Sequence, residues 1–360
     1  MTTPKIDQSE WNPVDPDRLI VCLEYSLKSG INPCIWGLQG VGKTYIVRNF
    51  IKEIERITGM PGWMIHVPPG IDGIDLHGMP IPDLKNEVVK WLLASLWKEA
   101  NEMSGKGYFI IFFLDEMNTG NQGLLNALMG FINERRVGDY VRPENSWCIA
   151  ACNPQQAARA AVSRFSGPMT SRLGHFDLIA SADATYHWLV NNGHDIRPAT
   201  YVKMNPDSVH KFDPRKTERG HPNPRAWEKV SDILKTQPPK EIEFPMIACE
   251  IGVSEAQKFV TFLSILKNAI PLKEIKKDPL NARLPDVSTS NGLSCAFFTM
   301  SAIASQSTDK QSLNIFSRYA SRLPGEFGAL YVKIVSDTYK IKKQNLESNE
   351  FTKLVVKLEN

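Results

Sequence analysis

The segment Gly37-Leu38-Gln39-Gly40-Val41-Gly42-Lys43-Thr44 narrows the fold more than any other stretch of the 360 residues. It matches G-x-x-x-x-G-K-[ST], follows the apolar Cys34-Ile35-Trp36 and runs directly into the helix-forming Tyr45–Ile57. A strand, a glycine-rich turn and a helix in that order make an anion cradle. The glycines let successive N–H groups converge on phosphate oxygens, and the helix N-terminus adds partial positive charge. Lys43 then reaches the β- and γ-phosphates and Thr44 ligates Mg²⁺. The expected nucleotide contacts are Gly37, Gln39, Gly40, Val41, Gly42, Lys43, Thr44 and Tyr45. The bland alternative is a glycine-rich turn ahead of a helix, and the strand and helix flanks favour the cradle.

Phe109–Leu114 (FIIFFL) reads as a fully buried strand, and it ends in Asp115-Glu116. Ligands of α/β sheets collect at the carboxyl ends of strands, so the pair is expected beside the phosphate loop. Asp115 would join Thr44 in the Mg²⁺ shell, and Glu116 would polarise a water for in-line attack on the γ-phosphate. An acidic pair after a strand also serves as a cap for the helix starting near Gln122, and the upstream loop tips the balance to chemistry. Cys148–Cys152 is a second such strand, ending in Asn153-Pro154. The Asn153 amide can contact both the γ-phosphate and the attacking water, where its plainer role is an Asn-Pro turn.

Apolar runs alternate with amphipathic stretches through the first half of the chain, the pattern of a parallel sheet flanked by helices. Strands are predicted at Cys34–Gly37, Trp63–Val67, Tyr108–Leu114, Trp147–Ala151 and His175–Ile179, giving a five-stranded α/β domain. Helices are predicted at Asp17–Ser29, Lys43–Thr58, Val89–Met103, Gln122–Asn133 and Ala182–Asn192 from apolar spacings of three and four. The polar, Pro-rich Asp195–Pro224 reads as a linker. Beyond it Pro224–Leu234, Ser254–Leu266, Leu293–Ser305 and Ser312–Leu323 read as helices, Pro279–Gly292 as a loop and Phe327–Val335 as either helix or strand. The expected organisation is a nucleotide-binding α/β domain over 1–200, a smaller helical lid over 201–275 and a C-terminal helical extension over 276–360.

Hydrophobic residues at 42% and charged residues at 22% are ordinary for a globular chain, and a net charge of +3 is too small to predict nucleic-acid binding. The longest apolar run, Tyr108–Leu114, is far below the roughly 20 residues that span a bilayer. The start MTTPKIDQSEWNP has neither a basic nor an apolar leader region, so the expected compartment is the cytoplasm. Cys22, Cys34, Cys148, Cys152, Cys249 and Cys295 form no CxxC pair, and core filling is their expected role.

Taken in order, these residues resemble the AAA+ ATPases and, within them, the MoxR-type, dynein-related group. The phosphate loop at Gly37–Thr44, Asp115-Glu116, Asn153, Ser171-Arg172 and Pro224-Arg225 stand where the family has Walker A, Walker B, sensor 1, arginine finger and sensor 2. The subgroup rests on Gly73-Ile74-Asp75-Leu76-His77-Gly78-Met79-Pro80, similar to the family's D-L-x-G-x-P, and on Glu134-Arg135-Arg136-Val137-Gly138-Asp139-Tyr140 before sensor 1. The resemblance covers roughly Asp17 to Ile265. It implies that Arg172 acts in trans on a neighbour's γ-phosphate, with Arg164 as its rival, and that Arg225 reports nucleotide state to the lid. It implies a homo-oligomeric ring, a hexamer in the family, and a hairpin insertion over Gly70–Lys90 near the ring pore.

The leading expectation is an ATPase using ATP and Mg²⁺ to remodel a partner protein, with a von Willebrand factor A domain partner implied by the resemblance. Two other functions stand beside it. One is a nucleic-acid motor similar to the McrB-type restriction enzymes, for which Lys203, Lys211, Arg215, Lys216 and Arg219 offer a small basic stretch. The other is a nucleotide-switched scaffold of low turnover, against which Glu116, Asn153 and Arg172 argue. No N/T-K-x-D guanine-reading motif occurs, which favours ATP over GTP.

Overall fold

The computed structural model describes residues 12–68, 71, 76–120, 122–154, 165–213, 219–341 and 348–359. Arg164, Gly73–Asp75 of the subgroup motif, and Arg215 and Lys216 of the basic stretch lie outside the described residues. The chain divides into two compact units, Met1–Ala180 with Phe212–Thr217, and Ser181–Lys211 with Glu218–Asn360. Residues 181–200, counted with the nucleotide-binding domain on sequence grounds, thus fall in the second unit.

The strands of the described residues are β1 (Pro13–Val14), β2 (Pro33–Trp36), β3 (Gly62–Val67), β4 (Met79–Asp83), β5 (Val88–Leu92), β6 (Phe109–Leu114), β7 (Arg136–Val137), β8 (Tyr140–Val141), β9 (Ser146–Cys152) and β10 (Gly174–Leu178). Six of them make one sheet in the order β1-β10-β2-β9-β6-β3, every neighbouring pair parallel. The five strands read from the sequence are its body, and the two-residue β1 adds a sixth at the edge. Among the described residues, this unit also holds helices α1 (Pro16–Lys28), α2 (Lys43–Ile51), α3 (Ile54–Thr58), α4 (Ser95–Gly105), α5 (Gln122–Asn133) and α6 (Gly167–Thr170).

Every residue of β6 and β9 is buried, because successive side chains enter opposite cores. Ile110, Phe112, Leu114, Cys148, Ala150 and Cys152 pack with Trp97 and Ala100 of α4 and with Leu124, Leu128 and Phe131 of α5. Phe109, Ile111, Phe113, Trp147, Ile149 and Ala151 pack with Leu19 and Leu23 of α1 and with Ile46, Val47 and Phe50 of α2. Full burial of one such phenylalanine contributes about 2 kcal/mol. The six cysteines are free thiols; Cys34, Cys148, Cys152 and Cys295 are buried, Cys22 is partly so and Cys249 is exposed.

Several sequence expectations are corrected. The helix predicted over Val89–Met103 begins only at Ser95, and Val88–Leu92 pairs antiparallel with Met79–Asp83 as an exposed hairpin. The β-branched Val88 and Val89 and the Asp83-capped turn at Lys85 and Asn86 favour the hairpin locally. Lys43–Thr58 is two helices, re-phased at Lys52-Glu53 so that Ile54 is buried.

The supposed linker Asp195–Pro224 contains a helix over Ile196–Met204, capped by the Asp195 carboxylate and burying Ala199, Tyr201 and Val202. Its Pro198 sits in the first turn, where a missing N–H costs no helical bond. Phe327–Val335 is helical, within Gly325–Ile341, and helices over Lys240–Ile251 and Leu272–Lys277 carry no prediction.

The second unit is helical: α7 (Ala182–Asn191), α8 (Ile196–Met204), α9 (Pro224–Lys235), α10 (Lys240–Ile251), α11 (Val253–Leu266), α12 (Leu272–Lys277), α13 (Ser290–Ser305), α14 (Lys310–Ala320), α15 (Gly325–Ile341) and α16 (Asn349–Glu359). Tyr201, Trp227 and Phe259 meet at ring distances of 5.2–5.4 Å in its core. The buried Glu255 accepts from Tyr201 Oη and Lys211 Nζ, each at 2.7 Å. Burial pushes its carboxyl up, but Lys211, Ser208 and Tyr201 together hold it below the ordinary carboxylate value. Among the described residues no helix is long and apolar enough to cross a membrane.

Candidate functional site

The phosphate loop links β2 to α2 at the carboxyl edge of the sheet, where β9 and β6 also end. Gly37 N–H donates to the Cys152 carbonyl at 3.1 Å, fastening the start of the loop to the last residue of β9. Gly42 has φ +103°, a conformation that side chains other than glycine resist. It is also the N-cap of α2 and offers no side chain to cap the first turn. A Cβ on Gly37 would stand 3.0 Å from Val41 Cγ1 and 3.3 Å from the Leu178 carbonyl, so the loop packs tightly over this glycine. A compact loop of glycine backbone leading into an uncapped helix fits a nucleotide's phosphates.

Lys43 is 8% exposed, and its Nζ donates to Gly37 O at 2.6 Å and to Asn153 Oδ1 at 2.9 Å. Asn153 is itself 4% exposed. Thr44 Oγ1 donates to Asp115 Oδ2 at 3.3 Å, and His66 Nε2 lies 3.2 Å from the same oxygen. A hydroxyl and a carboxylate at this separation are the kind of oxygen donors Mg²⁺ takes. Lys43, Thr44, Asp115 and Asn153, spread over 110 residues of sequence, therefore meet in one place.

Glu116 follows Asp115 with φ +46°, a left-handed conformation that costs a non-glycine residue about 1–2 kcal/mol. Three bonds hold it: its N–H donates to Asp115 Oδ1 at 3.0 Å, and its carbonyl accepts from Thr119 N at 2.9 Å and Thr119 Oγ1 at 2.8 Å. Asp115 and Glu116 are thus built into a turn at the end of β6, and a 3₁₀ turn over Met117–Thr119 separates them from α5.

No protein-family model matches the chain, and no curated protein matches it. Among solved structures it is similar to a candidate ATPase of Cytophaga hutchinsonii, at 13% identity over 88% of this chain and 79% of that one, with a TM-score of 0.36. A point mutant of Thermotoga maritima RuvB matches at 14% identity over 69% of each chain, with a TM-score of 0.36. The Thermotoga maritima RuvB Holliday junction branch migration motor matches at 14% identity over 70% and 74%, with a TM-score of 0.33. Likeness this distant assigns no role to any residue.

Four other predicted residues are exposed. Arg172 is exposed in the turn between α6 and β10, its Nη1 3.4 Å from the Met129 sulfur. Arg225 is exposed in the first turn of α9, in the second unit. Gln39 and Tyr45 are exposed on the loop and on α2.

Two residues beside the site, His66 and Asn118, carry no sequence expectation of a site role. Asn118, wholly buried, donates from Nδ2 to the Asn153 carbonyl at 2.7 Å and accepts from Asn153 N–H at 3.1 Å. This two-way amide pair locks the turn carrying Asp115 and Glu116 to the end of β9. Its signal in the sequence is a polar residue two positions after Asp115-Glu116.

Proposed function

We propose that the chain is a MoxR-type AAA+ ATPase whose subunits form a ring, a hexamer by resemblance, and that MgATP hydrolysis drives remodelling of a partner protein. What carries the reading is the meeting of Lys43, Thr44, Asp115 and Asn153 around one loop. In the proposed reaction the loop amides and Lys43 hold the β- and γ-phosphates, and Thr44 and Asp115 hold Mg²⁺. Bound Mg²⁺ neutralises charge on the phosphate oxygens. Glu116 accepts a proton from the attacking water, and Asn153 orients that water from the end of the neighbouring strand. Arg172 is proposed to complete a neighbour's site, where a fixed guanidinium offsets charge on the transferring group, and Arg225 to sense the nucleotide from the lid.

A protein partner is preferred to nucleic acid because part of the basic stretch is already engaged: Lys203 pairs with Asp183 and Lys211 with Glu255. The von Willebrand factor A domain partner and a cytoplasmic setting rest on the sequence alone. Arg172→Ala is expected to slow turnover at saturating ATP by about 10³-fold, the usual scale for a trans arginine. Mixing it with Lys43→Ala subunits, which bring an intact arginine, should restore part of the rate. Full activity of Arg172→Ala alone, or a dead mixture, contradicts the trans role.

A further inference from the structure

The turn that carries Arg172 runs between two core residues, Met169 and Leu173. Helix α6, which leads into it, has four residues, below the length at which a helix supports itself. The Arg172 side chain is exposed, and no ion pair fixes it among the described residues. Two rings add a further tie to its backbone, one on the phosphate loop's own strand and one on the neighbouring β10. Trp36, the last residue of β2 and the neighbour of Gly37, donates from Nε1 to His175 Nδ1 at 2.8 Å. His175 Nε2 lies 2.9 Å from the carbonyl of Thr170, the last residue of α6 and two before Arg172.

A carbonyl only accepts and an indole N–H only donates, so both bonds together require one form of the ring: neutral, with the proton on Nε2. The Trp36 ring also packs on Phe165, ahead of α6, at a centroid distance of 5.4 Å. The short helix is therefore gripped at both ends by Trp36, directly through Phe165 and at its C-terminus through His175.

We propose that Trp36 and His175 form a clip that holds the Arg172 turn in register with the phosphate loop, and that His175 is a positioning residue for the arginine a subunit lends to its neighbour. This rests on the reading of Arg172 as a residue acting in trans. The clip joins two functions of one subunit: the strand entering its own nucleotide site is bonded to the turn that serves the next site. The bonds leave the guanidinium itself exposed, as a residue meant for another chain must be.

The test is turnover in mixed assemblies, with nucleotide affinity measured alongside. His175→Ala should hydrolyse ATP about tenfold more slowly at saturation while binding ATP as the unaltered protein does, since misplacing a catalytic group costs rate rather than ground-state affinity. Excess Glu116→Gln subunits, which carry an intact arginine turn, should restore turnover at the His175→Ala sites, and Arg172→Ala subunits should not. Trp36→Phe, which keeps a ring against Phe165 but lacks the N–H, should repeat the pattern with a smaller loss and carries the test if His175→Ala binds no nucleotide. Wild-type turnover in both variants, or a loss that Glu116→Gln partners do not relieve, overturns the proposal. Arg172→Ala separates the two levels of failure. Full turnover there overturns the arginine reading and the clip with it, whereas a slow Arg172→Ala beside a fully active His175→Ala overturns the clip alone.

Discussion

Glu116→Gln is expected to bind MgATP with affinity close to that of the unaltered chain and to hydrolyse it at least about 100-fold more slowly. The substitution keeps the side-chain length and removes only the ability to take a proton. The bonds that hold this residue in its left-handed turn come from the Glu116 backbone, with the Asp115 carboxylate and Thr119 as partners, so glutamine should occupy the same place. Asp115 keeps its bonds to Thr44 and to Glu116 N–H, which leaves the metal-side oxygens unaltered. Phosphate release and equilibrium nucleotide binding measured on one preparation check the split. Loss of both together would mean that the turn itself had collapsed. Turnover near wild type would mean that another base acts.

Lys43→Ala removes affinity itself. Lys43 is nearly buried, and its bonds to Gly37 O, Leu38 O and Asn153 Oδ1 aim the ammonium across the mouth of the loop. A triphosphate brings formal negative charge to this ammonium. Truncating one partner of a buried, hydrogen-bonded charge pair costs about 3 kcal/mol, or roughly 100-fold in Kd. Titration with a fluorescent ATP analogue measures it, with a thermal melt confirming that the variant folds. Retained tight MgATP binding would refute the phosphate-loop assignment.

The centre of the sheet was legible because a strand covered on both faces is written as an unbroken apolar run. FIIFFL and the run ending at Cys152 are too short for typical helices and fit buried strands, and the polar residue that follows each run is then at the carboxyl edge of the sheet. Asp115 and Asn153 followed from that logic, and Lys43 and Thr44 from a motif whose spacing has a mechanism.

The failures have physical causes of equal clarity. Val89, Leu92, Leu93 and Leu96 satisfy the helical three-four spacing, yet the first two lie in a hairpin set by its turn and β-branched residues. Helix α8 hid in polar text because its buried residues, Pro198 to Val202, are consecutive rather than spaced by a helical period. Asn118 was invisible for another reason. Its partner is 35 positions away in the chain, and the pairing exists only once β6 and β9 lie side by side. Arg172 could be placed before a strand but not joined to anything, since Trp36, His175 and Thr170 come together only through the parallel pairing of β2 with β10.

A ring ATPase whose sites are completed by a neighbour's arginine must gain activity as subunits assemble, and ATP turnover per subunit against protein concentration measures this directly. Across the range in which sedimentation shows separate subunits giving way to assemblies, the rate per subunit is predicted to rise steeply and then level off. A finite rate that stays flat down to separate subunits would contradict it, because each site would then be complete within one chain.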